Sequence, residues 1–415
     1  MLPPVLEIYV VWHPGDAAGA QICEEFLEHF HGSAFSGLIG GAIEVYARST
    51  GWQGKGDAPR PIPLSPGSLA GDMREAQFIA IVPVLGNEFA ASVEKDGSPW
   101  RVYATDVMRV HDAERSRIGV FPFVLDPTAV NGTALNRIFG SLQRIAANEP
   151  GEGETLKSLR CRDLAQGIAQ MLSYPAQRRL TVFISHTKRH SPGERENVEA
   201  LIAAVRQAIG STRLADFFDA NDLQAGQDWD AELRRNAATS ALLALRTHLY
   251  ASREWCQREV LIAKREGMPV IVMDALEDTE ERGSFLMDHV PRVPIRLGNG
   301  EWSNRDIHCA LNLLVDECLK RALWRHQAAL AEDELDLGIV WWAPHAPEPV
   351  TFAQWIENAR AGGQLAAEGE DIRVLHPDPP LGADERLVLQ QMLALGGVQR
   401  TLDVMTPRIL AARSG

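Results

Sequence analysis

A few residues have the types and spacing to do chemistry. Glu259 follows Trp255 by four positions in Trp255-Cys-Gln-Arg-Glu259, so on a helix the carboxylate and the indole share one face. A carboxylate can stabilise positive charge that develops beside it. Taken alone, a Glu early in a helix more often offsets the helix dipole or meets solvent. Ser185-His186 closes the apolar run Val182-Phe-Ile184, and His186 there suits pocket lining or capping better than catalysis. Asp219 and Asp222 lie in Phe217–Trp229, where Asp favours turns. His376-Pro-Asp-Pro-Pro380 follows an apolar run; a rigid Pro turn and a ligand contact at a strand end explain it equally well. Thr50-Gly-Trp-Gln-Gly-Lys-Gly56 is Gly-rich but lacks the G-x-x-x-x-G-K-[ST] phosphate pattern. Cys23, Cys161, Cys256, Cys309 and Cys318 are scattered, odd in number and without C-x-x-C spacing. They predict no disulfide framework, no zinc or other metal site, and a reducing compartment.

The elements that must position these residues follow from hydrophobic periodicity. In the middle of the chain, Leu180–Ile184, Leu214–Phe218, Ala241–Leu245 and Pro269–Met273 read as short buried strands. Between and after them, helical spacing recurs at Val198, Leu201, Ile202, Val205 and Ile209, over Trp255–Arg265, and from Ile307 to Ala322. Strands alternating with helices predict parallel βαβ units in a doubly wound sheet, where ligands bind at the carboxyl ends of the strands. Ser185 and the residues after Leu245 stand at such ends.

The first part of the chain repeats this order. Strands are predicted at Glu7–Val11, Ala42–Tyr46, Phe78–Leu85 and Ile118–Leu125, with a helical face at Ile22, Phe26, Leu27 and Phe30. A closing helix is predicted through Ile138, Phe139, Leu142 and Ile145. The repetition is one of architecture, since the two parts share little sequence. Asn148–Glu154 and Ala331–Asp336 read as polar linkers, and 155–175 as a connecting helix. The expected organisation is 1–147, then linker and connecting helix over 148–177, then 178–325 and 335–415. The last segment is a small α/β unit with strands at Leu337–Ala343 and Ile372–Leu375 and helices at Phe352–Ala359 and Ala383–Leu395.

Three ordered blocks of 178–325 resemble the TIR (Toll/interleukin-1 receptor) family. They are Val182-Phe-Ile-Ser-His186, Phe217-Phe-Asp-Ala-Asn-Asp-Leu-Gln-Ala-Gly-Gln-Asp-Trp229, which looks like the family's BB loop, and Tyr250-Ala-Ser-Arg-Glu-Trp-Cys-Gln-Arg-Glu259. The resemblance implies a flavodoxin-like parallel-sheet fold for this segment. It also implies NAD⁺ as substrate, with no bound cofactor, and Glu259 as the catalytic residue of the W-x-x-x-E pattern. Cleavage of the nicotinamide–ribose bond forms an oxocarbenium-like ribose, as in glycoside hydrolysis. One carboxylate can stabilise that cation and hold the ribose hydroxyls, and nicotinamide leaves as a neutral molecule without a strong general acid. By the same resemblance Trp255 packs against a base, and Ser185, His186, Asp219 and Gly226 border the nucleotide pocket. His186-Thr-Lys188 departs from the aromatic or Arg-containing run that often follows the Ser. In 1–147, Trp100 precedes Ala104 by four residues, so this segment reads as a TIR-like copy lacking the catalytic carboxylate and serving assembly or regulation.

Composition bounds the rest. The 415 residues suggest about three domains, and 45% hydrophobic with 23% charged residues is ordinary for a globular chain. A formal net charge of −14 with no long Lys/Arg run disfavours nucleic acid as a direct ligand. No apolar run nears the ~20 residues that span a bilayer, and residues 1–12 lack a signal-peptide pattern, so a cytoplasmic protein with no membrane partner is expected. The leading expectation is an antiphage NAD⁺ glycohydrolase or cyclase, active when the TIR segment self-associates. An activating protein or nucleotide signal would act through the flanking segments. The alternative is a non-enzymatic TIR adaptor working through TIR–TIR contacts, and a nucleotide-binding sensor could describe the outer segments.

Overall fold

The computed structural model describes residues 3–35, 38, 42–54, 56–64, 75–146, 153–173, 181–191, 193–210, 240–277, 280, 283–334, 338, 340–365 and 369–414. The chain divides into two compact units, Met1–Gln177 with Arg325–Glu334, and Arg178–Trp324 with Leu335–Gly415. Both are α/β with parallel sheets. Among the described residues no helix is long and apolar enough to cross a membrane.

Unit 1 runs β1 (Leu6–Trp12), α1 (Ala18–Phe30), β2 (Ile43–Arg48), β3 (Phe78–Leu85), α2 (Asn87–Glu94), α3 (Pro99–Ala113), β4 (Ile118–Val120), β5 (Phe123–Val124), α4 (Pro127–Val130), α5 (Ala134–Phe139), β6 (Ile145–Ala146) and α6 (Gly153–Leu172). The sheet order is β2-β1-β3-β5-β6, with β4 also on β3, and every pairing is parallel. Chain direction across the sheet reverses between β1 and β3, a topological switch point. Every residue of β1 is buried, which is why its pattern is a continuous apolar run rather than an alternating one. Tyr9, Val11, Ile79 and Ile81 pack with Phe89, Trp100, Val107 and Phe139 in one apolar cluster. Helix α6 docks on α1, where Arg160 pairs with Glu25 at 3.0 Å.

Two expectations for this part need correction. Ile118–Leu125 is not one strand: Phe121 donates to the Ile81 carbonyl at 2.8 Å, and Pro122, which has no N–H, separates β4 from β5. The closing helix does not reach Ile145. It stops at Phe139 before Gly140, and Ile145 pairs with Phe123 at the sheet edge. The connecting helix of 155–175 is α6.

Unit 2 begins β7 (Thr181–Ser185), α7 (Arg195–Gly210), β8 (Ser240–Arg246), α8 (Glu254–Arg265) and β9 (Val270–Asp274). Then come β10 (Arg292–Pro294), the short hairpin of β11 (Leu297–Gly298) and β12 (Glu301–Trp302), and α9 (Asn304–Glu334), of which Arg325–Glu334 belongs to unit 1. The four strands β10-β9-β8-β7 form one parallel sheet. The expected strand Leu214–Phe218 lies outside the described residues, as do Asp219 and Gly226. The acidic stretch Ala331–Asp336 is not a linker throughout, because α9 continues to Glu334. Its acidic residues extend a helix whose inner face carries Leu319, Leu323 and Trp324, all buried.

The remainder of unit 2 is β13 (Val340–Trp342), α10 (Pro349–Ala361), β14 (Ile372–Leu375), α11 (Ala383–Leu395), β15 (Leu402–Met405) and α12 (Pro407–Ser414). Its three strands form a separate parallel sheet over a core of Phe352, Ile356, Val374, Leu389, Leu393 and Val404. This sheet is bound to the part of the unit that precedes it in sequence. Glu348 caps α10 by accepting from Val350 N at 3.0 Å and Thr351 N at 3.2 Å. The same carboxylate lies 3.7 Å from Lys264 Nζ of α8, with both side chains buried. Lys264 also donates to the Asp288 carbonyl at 2.8 Å, and Val350 packs on the cluster around α8.

Candidate active site

The candidate site is assembled at the carboxyl ends of β7 and β8. Ser185 is the last residue of β7 and is registered against Ala244 of β8, so the sheet ladder fixes its backbone. After β8 the chain makes a tight turn in which Tyr250 N donates to the Thr247 carbonyl at 2.9 Å. Arg253 N donates to the Tyr250 carbonyl at 3.1 Å, and α8 begins at Glu254. The Tyr250 ring is buried in an apolar cluster with Phe183, Leu242, Cys256 and Val260.

Three polar side chains from these elements meet. The Ser185 hydroxyl donates to Glu259 Oε2, and Ser185 Oγ lies 2.6 Å from Tyr250 OH. Ser185 and Tyr250 are fully buried, and Glu259 is only 9% exposed. Burial holds the Tyr250 phenol well above its ordinary range. Burial, followed by the neighbouring Glu259 carboxylate, pushes the Cys256 thiol up to about 12. Both therefore stay protonated near neutral pH, and Cys256 offers no thiolate nucleophile.

Trp255 lies on the same helix one turn before Glu259, but the residue is 53% exposed. The Arg258 guanidinium stands 5.6 Å from that ring's centroid. Apolar surface of this kind on a helix start is not explained by the core; it is available to stack on a planar ligand. His186 is half-buried with Nδ1 3.4 Å from the Thr187 carbonyl. Of the residues expected at the site, the fold thus joins Ser185 and Glu259 and leaves Trp255 open one helical turn before Glu259, and Asp219 and Gly226 lie outside the described residues.

Two residues of the site carry no expectation from the sequence. Tyr250 opens the run Tyr250–Glu259, yet nothing in its spacing marks it as a partner of Ser185, which is 65 residues away. Glu194 accepts from Ser191 N through one oxygen and His248 N through the other, each at 3.0 Å. It therefore ties the segment after β7 to the turn after β8. Farther along the strand ends, Arg246 bonds Asp274 at 3.2 Å and also pairs with Glu280, a separate ion cluster. Among the described residues no group of three or more His, Cys, Asp or Glu could hold a metal ion.

Unit 1 offers an internal comparison. Trp100 and Ala104 are the second and sixth residues of α3, as Trp255 and Glu259 are of α8. There the indole is 2% exposed, packed at 5.2 Å on His13 and 5.1 Å on Phe89. The position of the carboxylate is the buried methyl of Ala104. Where unit 2 keeps a carboxylate and an open ring, unit 1 has a filled core.

No protein-family model, curated protein or solved structure matches the chain.

Proposed function

We propose that unit 2 carries a TIR-type NAD⁺ glycohydrolase or cyclase in a flavodoxin-like domain over 178–325, with Glu259 as its catalytic carboxylate. The observation that carries this reading is the Ser185–Glu259 bond at the strand ends beside an exposed Trp255. Helix and strand ends of this kind are where doubly wound folds bind ligands. In the reaction, the bond between ribose C1′ and the nicotinamide nitrogen breaks, and the bonding pair leaves with neutral nicotinamide. Glu259 stabilises the positive ribose left behind. Water then adds to C1′ and releases a proton, or the substrate's own adenine nitrogen closes the ring. Trp255 supplies a face for a base, and His186, Asp219 and Gly226 are proposed to border the pocket. The buried Trp100 and the methyl at Ala104 support a non-catalytic role for unit 1 in assembly or in receiving an activating signal. Self-association of the TIR segment, action inside the cell and a role in antiphage defence follow from the same reading.

A non-enzymatic adaptor is favoured by one observation: an exposed Trp flanked by Arg is also what protein interfaces use as an anchor. One experiment separates the two. Full-length protein at high concentration with a crowding agent is incubated with NAD⁺, and the products are resolved by chromatography. Nicotinamide release that falls by about 10²-fold or more in Glu259→Gln is expected for the enzyme. Turnover unchanged in a folded Glu259→Gln would remove Glu259 from the reaction.

A further inference from the structure

We infer that Tyr250 is a positioning residue for Glu259, acting through the Ser185 hydroxyl in a fixed chain from phenol to hydroxyl to carboxylate. The inference rests on the reading of Glu259 as the working carboxylate. It adds the part of the structure that holds this carboxylate in place.

The direction of the chain follows from proton counting. A serine hydroxyl has one proton and two lone pairs. Ser185 gives its proton to Glu259 Oε2, so toward Tyr250 OH, 2.6 Å away, it can only accept. The phenol keeps its proton, because burial opposes the phenolate, and so it is the donor. Tyr250 thus removes the other orientation of the Ser185 hydroxyl, the one that points away from Glu259. Each member is anchored on a different element: Ser185 on the β7–β8 ladder, Tyr250 in the turn after β8 and the apolar cluster, and Glu259 on α8. A carboxylate held from two other elements does not have to be reoriented as charge develops on the substrate, which is what electrostatic catalysis requires.

Besides the Tyr250 phenol, the titratable groups around Glu259 include the Cys256 thiol and, across that thiol, the Arg253 guanidinium, and the His186 imidazole directly follows Ser185. Phenol and thiol are both held neutral, and arginine stays charged at every accessible pH. The carboxyl titration, assigned by its loss in Glu259→Gln, therefore decides which part of an acid limb in activity belongs to the carboxylate.

The test uses full-length Tyr250→Phe, Ser185→Ala and the double variant, with two readouts. One is the titration of the Glu259 carboxyl, followed by ¹³C NMR and assigned by its loss in Glu259→Gln. The other is the acid limb of kcat/KM for NAD⁺. Loss of a hydrogen bond to a carboxylate favours its protonated form, so Ser185→Ala is expected to move both midpoints up by about one pH unit. Tyr250→Phe keeps the ring that fills the core and is expected to move them the same way by less. In the Ser185→Ala background, Tyr250→Phe is expected to add nothing, because it acts only through that hydroxyl. Ser185→Thr, which keeps a hydroxyl, is expected to restore the wild-type midpoint. The inference is overturned if Tyr250→Phe leaves the carboxyl titration unchanged, or if its full effect persists without Ser185. A wild-type protein that does not turn over NAD⁺ would instead defeat the NADase reading, and the carboxyl titration would still decide the chain.

Discussion

The two tryptophans at equivalent helix positions show how environment, not residue type, assigns a role. Trp100 is 2% exposed and Trp255 is 53% exposed, although both are second in their helices. Trp100→Ala would leave a large cavity in a core that packs like a crystal, at a cost of about 3–5 kcal/mol. Trp255→Ala removes surface that was already in water, and its effect on stability is expected within about 0.5 kcal/mol. If Trp255 stacks on a base, its loss raises KM for NAD⁺ by about tenfold. Urea denaturation and steady-state kinetics on the two variants check both halves. A Trp255→Ala protein with unchanged KM would move Trp255 from the substrate to a partner interface. The spacing of Glu259 from Trp255 was legible in the sequence, but its bond to Ser185 was not. Residues 74 positions apart meet only because parallel strands bring their carboxyl ends side by side.

At the scale of elements, the strand ends of the last sheet carry two neutral imidazoles. His345 follows β13 and His376 follows β14. Burial, helped by Arg321, pushes His345 down from 6.5 to about 3. Burial likewise lowers His376, which has no exposed surface. In the unfolded chain both take up a proton near 6.5. Between that pH and the folded value, the unfolded state binds more protons, so stability rises with pH. The contribution is complete above about 6.5 and is lost as the pH falls toward 3. The urea midpoint of the protein is therefore expected to drop between pH 7 and 4.5, and less steeply in His345→Gln. An identical pH slope in the variant would show that His345 does not hold this dependence. The sequence offered His376-Pro-Asp378 only as a turn or a ligand contact, because periodicity gives no measure of burial at a strand end.

For the whole molecule, the segment boundaries drawn from composition matter less than which parts share a core. Residues 335–415 have their own sheet and apolar cluster, yet they belong to the same compact unit as 178–324. The buried pair of Lys264 with Glu348, 3.7 Å apart, lies across that boundary. Removing one partner of such a pair leaves an uncompensated charge and costs several kcal/mol, about 3–5. A fragment ending at 325 would strand Lys264 in this way and expose the surface under Val350. It is expected to melt well below a fragment of 178–415 and to be cut faster by protease. Equal melting temperatures would show that 178–325 is self-sufficient.

By itself the sequence determined the alternation of strands and helices, the α/β class, the repeat of that order in two parts of the chain, and the spacing of Trp255 to Glu259. These are local properties, written in a hydrophobic period of two to four residues and in short motifs. Tertiary structure alone decided that Ser185 and Tyr250 bind each other, that Trp100 is core while Trp255 is open, that β4 and β5 are separate, and that α9 runs through an acidic stretch. Each of these depends on what lies across space, and sequence distance carries no information about that until the sheet order brings the parts together.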